Sequence, residues 1–530
     1  GVAVHTWATR LGPERAARDL VAEVVVLRNN PQWRAEDNEL IADGAALSSQ
    51  VGRKDIKERS KELRALSPGQ LILQTDMETG SYFAPDGTAI PPLMALGAAD
   101  SEELAEAWGH AVGLEGRRLG VDVTWSPVLD VNTNPDNPII NVRAFGEDAE
   151  QVGRLGAAMT RGFIRSGLHP CAKHWPGHGD VAVDSHIALP TVDKSREELE
   201  EVDWAPYRVA REAGLESVMT AHLLLPAIDP DNCATVSHRL ITGILREHLG
   251  YEGCIFTDSL GMEGLRTTID SAEAAWMALA AGHDQVLVDY KRPPGDSVEA
   301  MVAACMDGRV PEQRLRDAVA RVRDLKRRLR ELPALPPDDE IRETIRDTGR
   351  RVAEAAVTLV GRLPGGGIKP GARPLLVIFD DLKRHGVGVA EEGVEGGLEG
   401  THPLAKIARE MLDCDIIVVS EEPSAADIQR IEWRAEMATG IIGATVAHIQ
   451  SYKGEGVRLP AEQRELASRA ADSGLLSGLM LFESPYALGD LPKGVPTIVG
   501  YGADEFSFRA SLEALLGGGD CPGTLPVTVP

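Results

Sequence analysis

Cysteine is scarce in this chain of 530 residues. The six (Cys171, Cys233, Cys254, Cys305, Cys414 and Cys521) are widely scattered, and no CxxC pair occurs. That pattern argues against cysteine-based zinc sites and against a disulfide framework, and it predicts buried free thiols in a reducing compartment. Long apolar runs are missing as well. Without a stretch of about 18 consecutive apolar residues, no bilayer-spanning helix is expected. The first twenty residues lack the basic-then-apolar layout of a secretion signal. A cytoplasmic address is therefore the expectation, with secretion or lipid anchoring through a removed leader as the alternative. Positive charge is also in deficit: 55 Lys and Arg stand against 81 Asp and Glu, a formal charge of −26. Such a surface repels phosphate backbones, so a nucleic-acid partner is not expected, and its ordinary consequence is solubility.

What remains is the composition of a globular protein, 43% hydrophobic and 26% charged, long enough for two large domains. Short β-rich runs alternate with longer helical patterns through the first two-thirds. The apparent strands are residues 22–30, 71–76, 121–131, 169–175, 217–226, 254–260 and 285–290. Each apolar run ends in polar or charged residues. Near-continuous apolar strands imply burial on both faces, hence a parallel sheet. Seven strands in this length suit an N-terminal (β/α)8 TIM-like barrel with one strand missed; a doubly wound open sheet is the alternative. In a barrel the polar residues at the strand ends, Asp76, Asp130, Lys173, His174, His222 and Asp258, converge on the C-terminal face. In an open sheet they would lie in a row. A proline-rich stretch, "ELPALPPDDE" (331–340), reads as a linker. A helix over 341–361 and five more strand-like runs (374–380, 415–421, 445–451, 477–483, 495–502) predict a smaller C-terminal α/β domain with a parallel sheet. The expected domains are 1–335 and 336–530, with an acidic loop over 386–400.

"KHWPGHGDVAVDSH" (173–186) concentrates histidines, aspartates and a lysine in a segment too glycine-rich for a helix. His174, His178 and His186 with Asp180 and Asp184 could be a metal site, but the spacing fits no strong zinc signature. Proton transfer is the other reading. A carboxylate accepting from one imidazole nitrogen fixes the tautomer and raises the basicity of the other, and Asp184 and His186 are placed for this. In "GCIFTDSLGM" (253–262), Asp258 ends a buried β-run, either as a nucleophile at a barrel strand end or as a helix N-cap. In "NPIINVRAFGED" (137–148), Arg143 could fork onto vicinal hydroxyls or a carboxylate, or pair internally with Glu147 or Asp148.

Together these stretches, with "SPVLDVNTNPDNPIINVRAFGED", "SVMTAHLLLPAID" and "AAGHDQVLV", resemble glycoside hydrolase family 3, in its β-N-acetylglucosaminidase branch. The resemblance covers roughly residues 70 to 310, and the C-terminal tail is similar to the end of that family's second α/β domain. It implies a retaining, exo-acting β-N-acetylhexosaminidase that forms a glycosyl-aspartate on Asp258. His186, paired with Asp184, is the implied acid/base, where most glycosidases use a second carboxylate. Asp76, Arg143, Lys173 and His174 are the implied sugar contacts, and His178 shapes the loop. Gly177 and Gly179 are expected to let that loop close over the sugar. No cofactor or metal is implied. An amino-sugar glycoside is the implied substrate, with peptidoglycan fragments or chitooligosaccharides as candidates, and the chain is expected as a monomer or homodimer. One departure stands out. The family reads like "DQEGGRVQR" after the second strand, whereas here the text is "DMETGSYFAPDG" (76–87), with Ser81 and Ala84 where arginines are expected. Tyr82 or Phe83 could stack on the sugar instead. The competing functions are a phosphorylase or transglycosylase using the same site, and a weakly catalytic sugar binder.

Overall fold

Eight short parallel strands close into a barrel in the computed structural model, which describes residues 13–28, 46–48, 61, 64–65, 71–84, 86–369, 373–381, 400–449 and 456–530. The strands are β1 (Val25–Arg28), β2 (Ala46–Ser48), β3 (Leu73–Thr75), β4 (Val123–Thr124), β5 (His169–Trp175), β6 (Ser217–Thr220), β7 (Ile255–Thr257) and β8 (Val286–Leu287). Each pairs with its neighbour in sequence, and β8 pairs back onto β1. A parallel bridge between Phe256 and Gln285 completes the ring. The missed strand is β2, a three-residue segment too short to register as an apolar run. The sequence also overstates β4 and β6: beyond Thr124 and Thr220 the chain leaves the ladder and becomes site-forming loop.

Successive side chains of a strand point to opposite faces, and here both faces are buried. Val26 and Phe256 fill the barrel interior together with Trp125, Cys171 and Met219. Val25 and Ile255 point outward beneath the helices. This is why the strands read as unbroken apolar runs. The helices Glu102–Leu119 and Ala149–Ser166 begin at caps, with Ser101 accepting from Leu104 N and Asp148 from Gln151 N. Asp148 is thus committed to a helix terminus, and Glu147 accepts from Thr528 at 2.6 Å. None of the six cysteines is bonded to another, and three of them (Cys171, Cys233, Cys254) are buried. Among the described residues no helix is long and apolar enough to cross a membrane.

A second sheet follows in the order β11-β10-β12-β13-β14-β9. Its strands are β9 (Thr358–Val360), β10 (Leu375–Asp380), β11 (Asp415–Ser420), β12 (Ile441–Ala447), β13 (Leu476–Glu483) and β14 (Thr497–Val499). All pair in parallel except β9, which lies antiparallel on β14. The sequence reading placed 358–360 in a helix; that helix ends at Ala356. It also set the third strand of this sheet at 445–451, whereas β12 runs from Ile441. The expected acidic loop falls almost wholly outside the described residues. The Asp338–Ala356 helix joins the two halves: Ile345, Val352 and Ala356 pack in the barrel's outer core, and Ala353 in the core of the second sheet. Tyr486, Tyr501 and Val527 reach into the same barrel core from the C-terminal side.

Candidate active site

The strand-end residues converge as barrel geometry requires. A cavity of about 100 Å³ opens at the carboxyl ends of the strands, lined by Asp76, Trp125, Ile139, Arg143, Lys173, His174, His178, Ser185, His186, Met219, Asp258 and Met262. Six of the seven sequence-derived site residues line it, and the seventh, Asp184, lies directly behind His186. The β5 ladder with β6 loses register between Ala172 and Trp175. Strict alternation lapses there, and Lys173 and His174 both line the cavity.

On one side two cations and two carboxylates form a network. Lys173, only 2% exposed, bonds Asp76 and lies 2.6 Å from Glu78. Arg143 forks onto Glu78 through Nε at 2.7 Å and one terminal nitrogen at 2.8 Å. The internal partner of Arg143 is therefore Glu78, not Glu147 or Asp148. Burial pushes the Glu78 carboxyl up, but Arg143 and Lys173 outweigh it and hold the group well below the usual carboxylate range. Burial likewise opposes the charge on Lys173, and Asp76 and Glu78 overcome it, raising the ammonium above its ordinary value. The cluster is pre-organised, a set of fixed donors and acceptors suited to hydroxyls.

Asp130, at the end of the segment after β4, supports the neighbouring His174 and the loop beyond it. It accepts from His174 Nδ1 at 2.7 Å and from the backbone N–H of His178 at 2.7 Å. Its burial is countered by His174 and His178, so it stays ionised. His174 Nε2 lies 3.3 Å from Arg143. His178 reaches across its loop to Ser185 Oγ at 3.0 Å, and burial pushes its pKa down to about 4. It is a neutral strut between the two arms of the loop. His174, His178 and His186 thus face three different partners.

His186 Nδ1 lies 2.8 Å from Asp184 Oδ1, which also accepts from the His186 backbone N–H. Asp184 is fully buried and His186 a quarter exposed, so the pair has a fixed base and a wet outer edge. At Gly177 and Gly179 the backbone is closely packed. A Cβ at 179 would sit 1.8 Å from the Val131 carbonyl oxygen, and one at 177 would sit 2.7 Å from Asp203. Both allow close approach, and together they clamp the first arm of the loop.

Asp258 follows β7 and accepts from the Ser259 N–H at 2.7 Å. It is not a helix cap; the next helix is Glu263–Arg266, with Met262 at its N-cap. Burial raises the Asp258 pKa, and His222, His174 and the Ser259 N–H more than offset it, leaving the carboxyl below its usual value. His222, fully buried, contacts Thr235 Oγ1 at 2.6 Å and the Ser259 carbonyl at 2.9 Å. Burial lowers its pKa.

The departing stretch turns inward. Ser81 bonds Glu115, and Ala84 packs against Leu119. Neither borders the cavity, and nor do Tyr82, which is exposed, or Phe83, which packs on Ala84 and Leu119. Stacking by these aromatics is not what the geometry provides. An arginine at 84 would enter an apolar cluster instead of the site. The residues the sequence undervalued are Glu78 and Asp130. Their signals were weak but present: Glu78 two residues past Asp76, and Asp130 at a strand end.

Residues 38–325 match the glycosyl hydrolase family 3 N terminal domain. The chain belongs to that family. Over 99% of its length it is 26% identical to a β-N-acetylglucosaminidase/β-glucosidase of Cellulomonas fimi, covering 95% of that protein. It is 36% identical over 258 residues to a β-hexosaminidase of Chromobacterium violaceum, a match that spans 47% of this chain and 72% of the relative. A solved family 3 β-N-acetylglucosaminidase from Paenibacillus sp. str. FPU-7 superposes with a TM-score of 0.84 at 29% identity, covering 97% of this chain and 98% of that one. Family 3 membership makes the protein a glycoside hydrolase, and the fold agrees over 97% of the chain.

Proposed function

We propose that this family 3 enzyme is a retaining, exo-acting β-N-acetylhexosaminidase that cleaves a terminal β-linked N-acetylglucosamine or a related amino sugar. The observation that carries the reading is the presence, in one cavity, of an ionised strand-end carboxylate, Asp258, and an imidazole tied to a buried carboxylate, His186 with Asp184. The activities of the relatives support it. In the first step an Asp258 carboxylate oxygen attacks the anomeric carbon as the glycosidic C–O bond breaks. His186, held by Asp184, gives its proton to the departing oxygen. In the second step neutral His186 takes a proton from water, whose oxygen displaces Asp258. Asp184 stabilises the imidazolium in each protonated state and fixes Nδ1, so that proton traffic runs through the other ring nitrogen. Asp76, Lys173, Arg143 and His174 hold the sugar hydroxyls, with Glu78 keeping the two cations in place.

The test is the stereochemistry of hydrolysis followed by proton NMR. The first-formed N-acetylglucosamine is expected as the β-anomer, and Asp258→Ala is expected to abolish turnover of aryl and natural substrates alike while leaving the unfolding temperature near that of the wild type. An α-anomer as first product, or a fluorinated sugar trapped on another side chain, overturns the assignment. Running the assay with and without inorganic phosphate reads out hydrolysis against phosphorolysis, and free sugar is expected in both.

A further inference from the structure

The segment just after the catalytic loop carries a buried ion pair that the mechanism above does not use. Lys194 Nζ lies 2.9 Å from Asp203 Oδ2 and 3.4 Å from Asp180 Oδ2. Asp180 belongs to the first arm of the loop that bears the Asp184–His186 pair. Asp203 is 1% exposed, and its other oxygen, Oδ1, has no hydrogen-bond partner among the described residues. That same side chain packs on Gly177, where the loop begins and where φ is +123°. The first arm is fixed further by Asp130 at His178 N and by Asn137 Nδ2, which donates to the His178 carbonyl at 2.8 Å. The two arms are joined through His178 and Ser185 at 3.0 Å. That bond is the link by which a displacement at 177–180 would reach 184–186.

We propose that Lys194 and Asp203 are positioning residues that latch the first arm of this loop, through Asp180 and Gly177, and so set where the His186 ring meets the departing oxygen. Neither group lines the cavity. A buried carboxylate without its counter-charge takes up a proton or draws in water, and either response releases the arm. Burial already pushes the Asp203 pKa up to about 6, with Lys194 opposing it, so this carboxylate depends on the lysine to stay ionised. Because proton transfer requires the donor within hydrogen-bond reach, small shifts of the ring affect chiefly those substrates whose leaving group must be protonated.

The inference rests on the proposed acid role of His186, and the experiment separates the two. Lys194→Met, Asp203→Asn and Asp180→Asn are assayed beside His186→Ala on 4-nitrophenyl N-acetyl-β-glucosaminide, which has a good leaving group, and on N,N′-diacetylchitobiose, which has a poor one. Asp180 is partly exposed, so its variant removes the loop end of the latch with the least disturbance to the fold. The latch variants are expected to lose about tenfold or more in kcat/KM on the disaccharide and far less on the aryl substrate, with the loss in kcat instead of KM. Lys194→Arg, which keeps the cation, is expected to stay near wild type on both. Equal losses on the two substrates, or none on the disaccharide, overturn the latch if His186→Ala itself shows the selective loss. If His186→Ala shows no selectivity, the acid assignment fails and the latch falls with it.

Discussion

A methyl group at position 179 would be driven into the Val131 carbonyl oxygen, one residue from Asp130, whose carboxylate holds both His174 and His178. Gly179→Ala is therefore expected to act on stability and on chemistry together. Overpacking of this kind costs about 1–3 kcal/mol, read as a lower midpoint in urea unfolding, and kcat should fall because the His174 wall and the loop share the displaced carboxylate. At this scale the sequence was legible where place on a strand end decides what lines the cavity. Asp258, Lys173 and Asp76 could be named from residue type and place, and they border the cavity with His186, which Asp184 holds from behind. It was opaque where a role depends on what stands opposite. Ser81 turns inward because Glu115, on another element, accepts its hydroxyl. The close packing of Asp203 and Val131 against Gly177 and Gly179 is likewise invisible in the sequence.

The segments after β3 and β4 and strand β5 are cross-linked by Glu78, which receives Arg143 and Lys173 at once. Glu78→Gln removes the carboxylate that pairs with Arg143 and leaves Lys173 with Asp76, and breaking such a buried pair costs about 3–5 kcal/mol. The sign with pH follows from the depressed pKa of Glu78. Its contribution is full above the ordinary value of 4.5 and is lost as pH falls below it toward the depressed folded-state value. The stability gap between wild type and Glu78→Gln, from urea unfolding, is expected to be widest near neutrality and to narrow as the pH is lowered under 4.5. A gap that stays constant would mean the carboxylate charge is not what binds these elements. The apolar runs made most of the barrel strands readable because both faces are buried. They misjudged β4 and β6, whose apolar continuation belongs to packed loops, and passed over β2 and β9, three residues each.

The Asp338–Ala356 helix contributes to the cores of both halves. Asn132, in the loop that also carries Asp130, donates to the Tyr486 hydroxyl at 2.7 Å, and Thr524 N donates to the Ala98 carbonyl at 3.0 Å. With apolar contacts this continuous, the barrel and the second sheet are expected to unfold in a single calorimetric transition. Two resolved transitions, with activity lost only at the second, would show that the halves are energetically separate.

The barrel interior below the cavity is packed with Trp125, Met219 and their neighbours, so among the described residues the site is a pit with no passage down through the barrel. A glycan can lower its tip into such a pit but cannot be threaded through it. On the proposed exo-acting cleavage, the freed monosaccharide must back out past the shortened chain's position before the next unit enters. That order of events predicts release of the polymer after every cut, with many chains trimmed a little instead of one chain to completion.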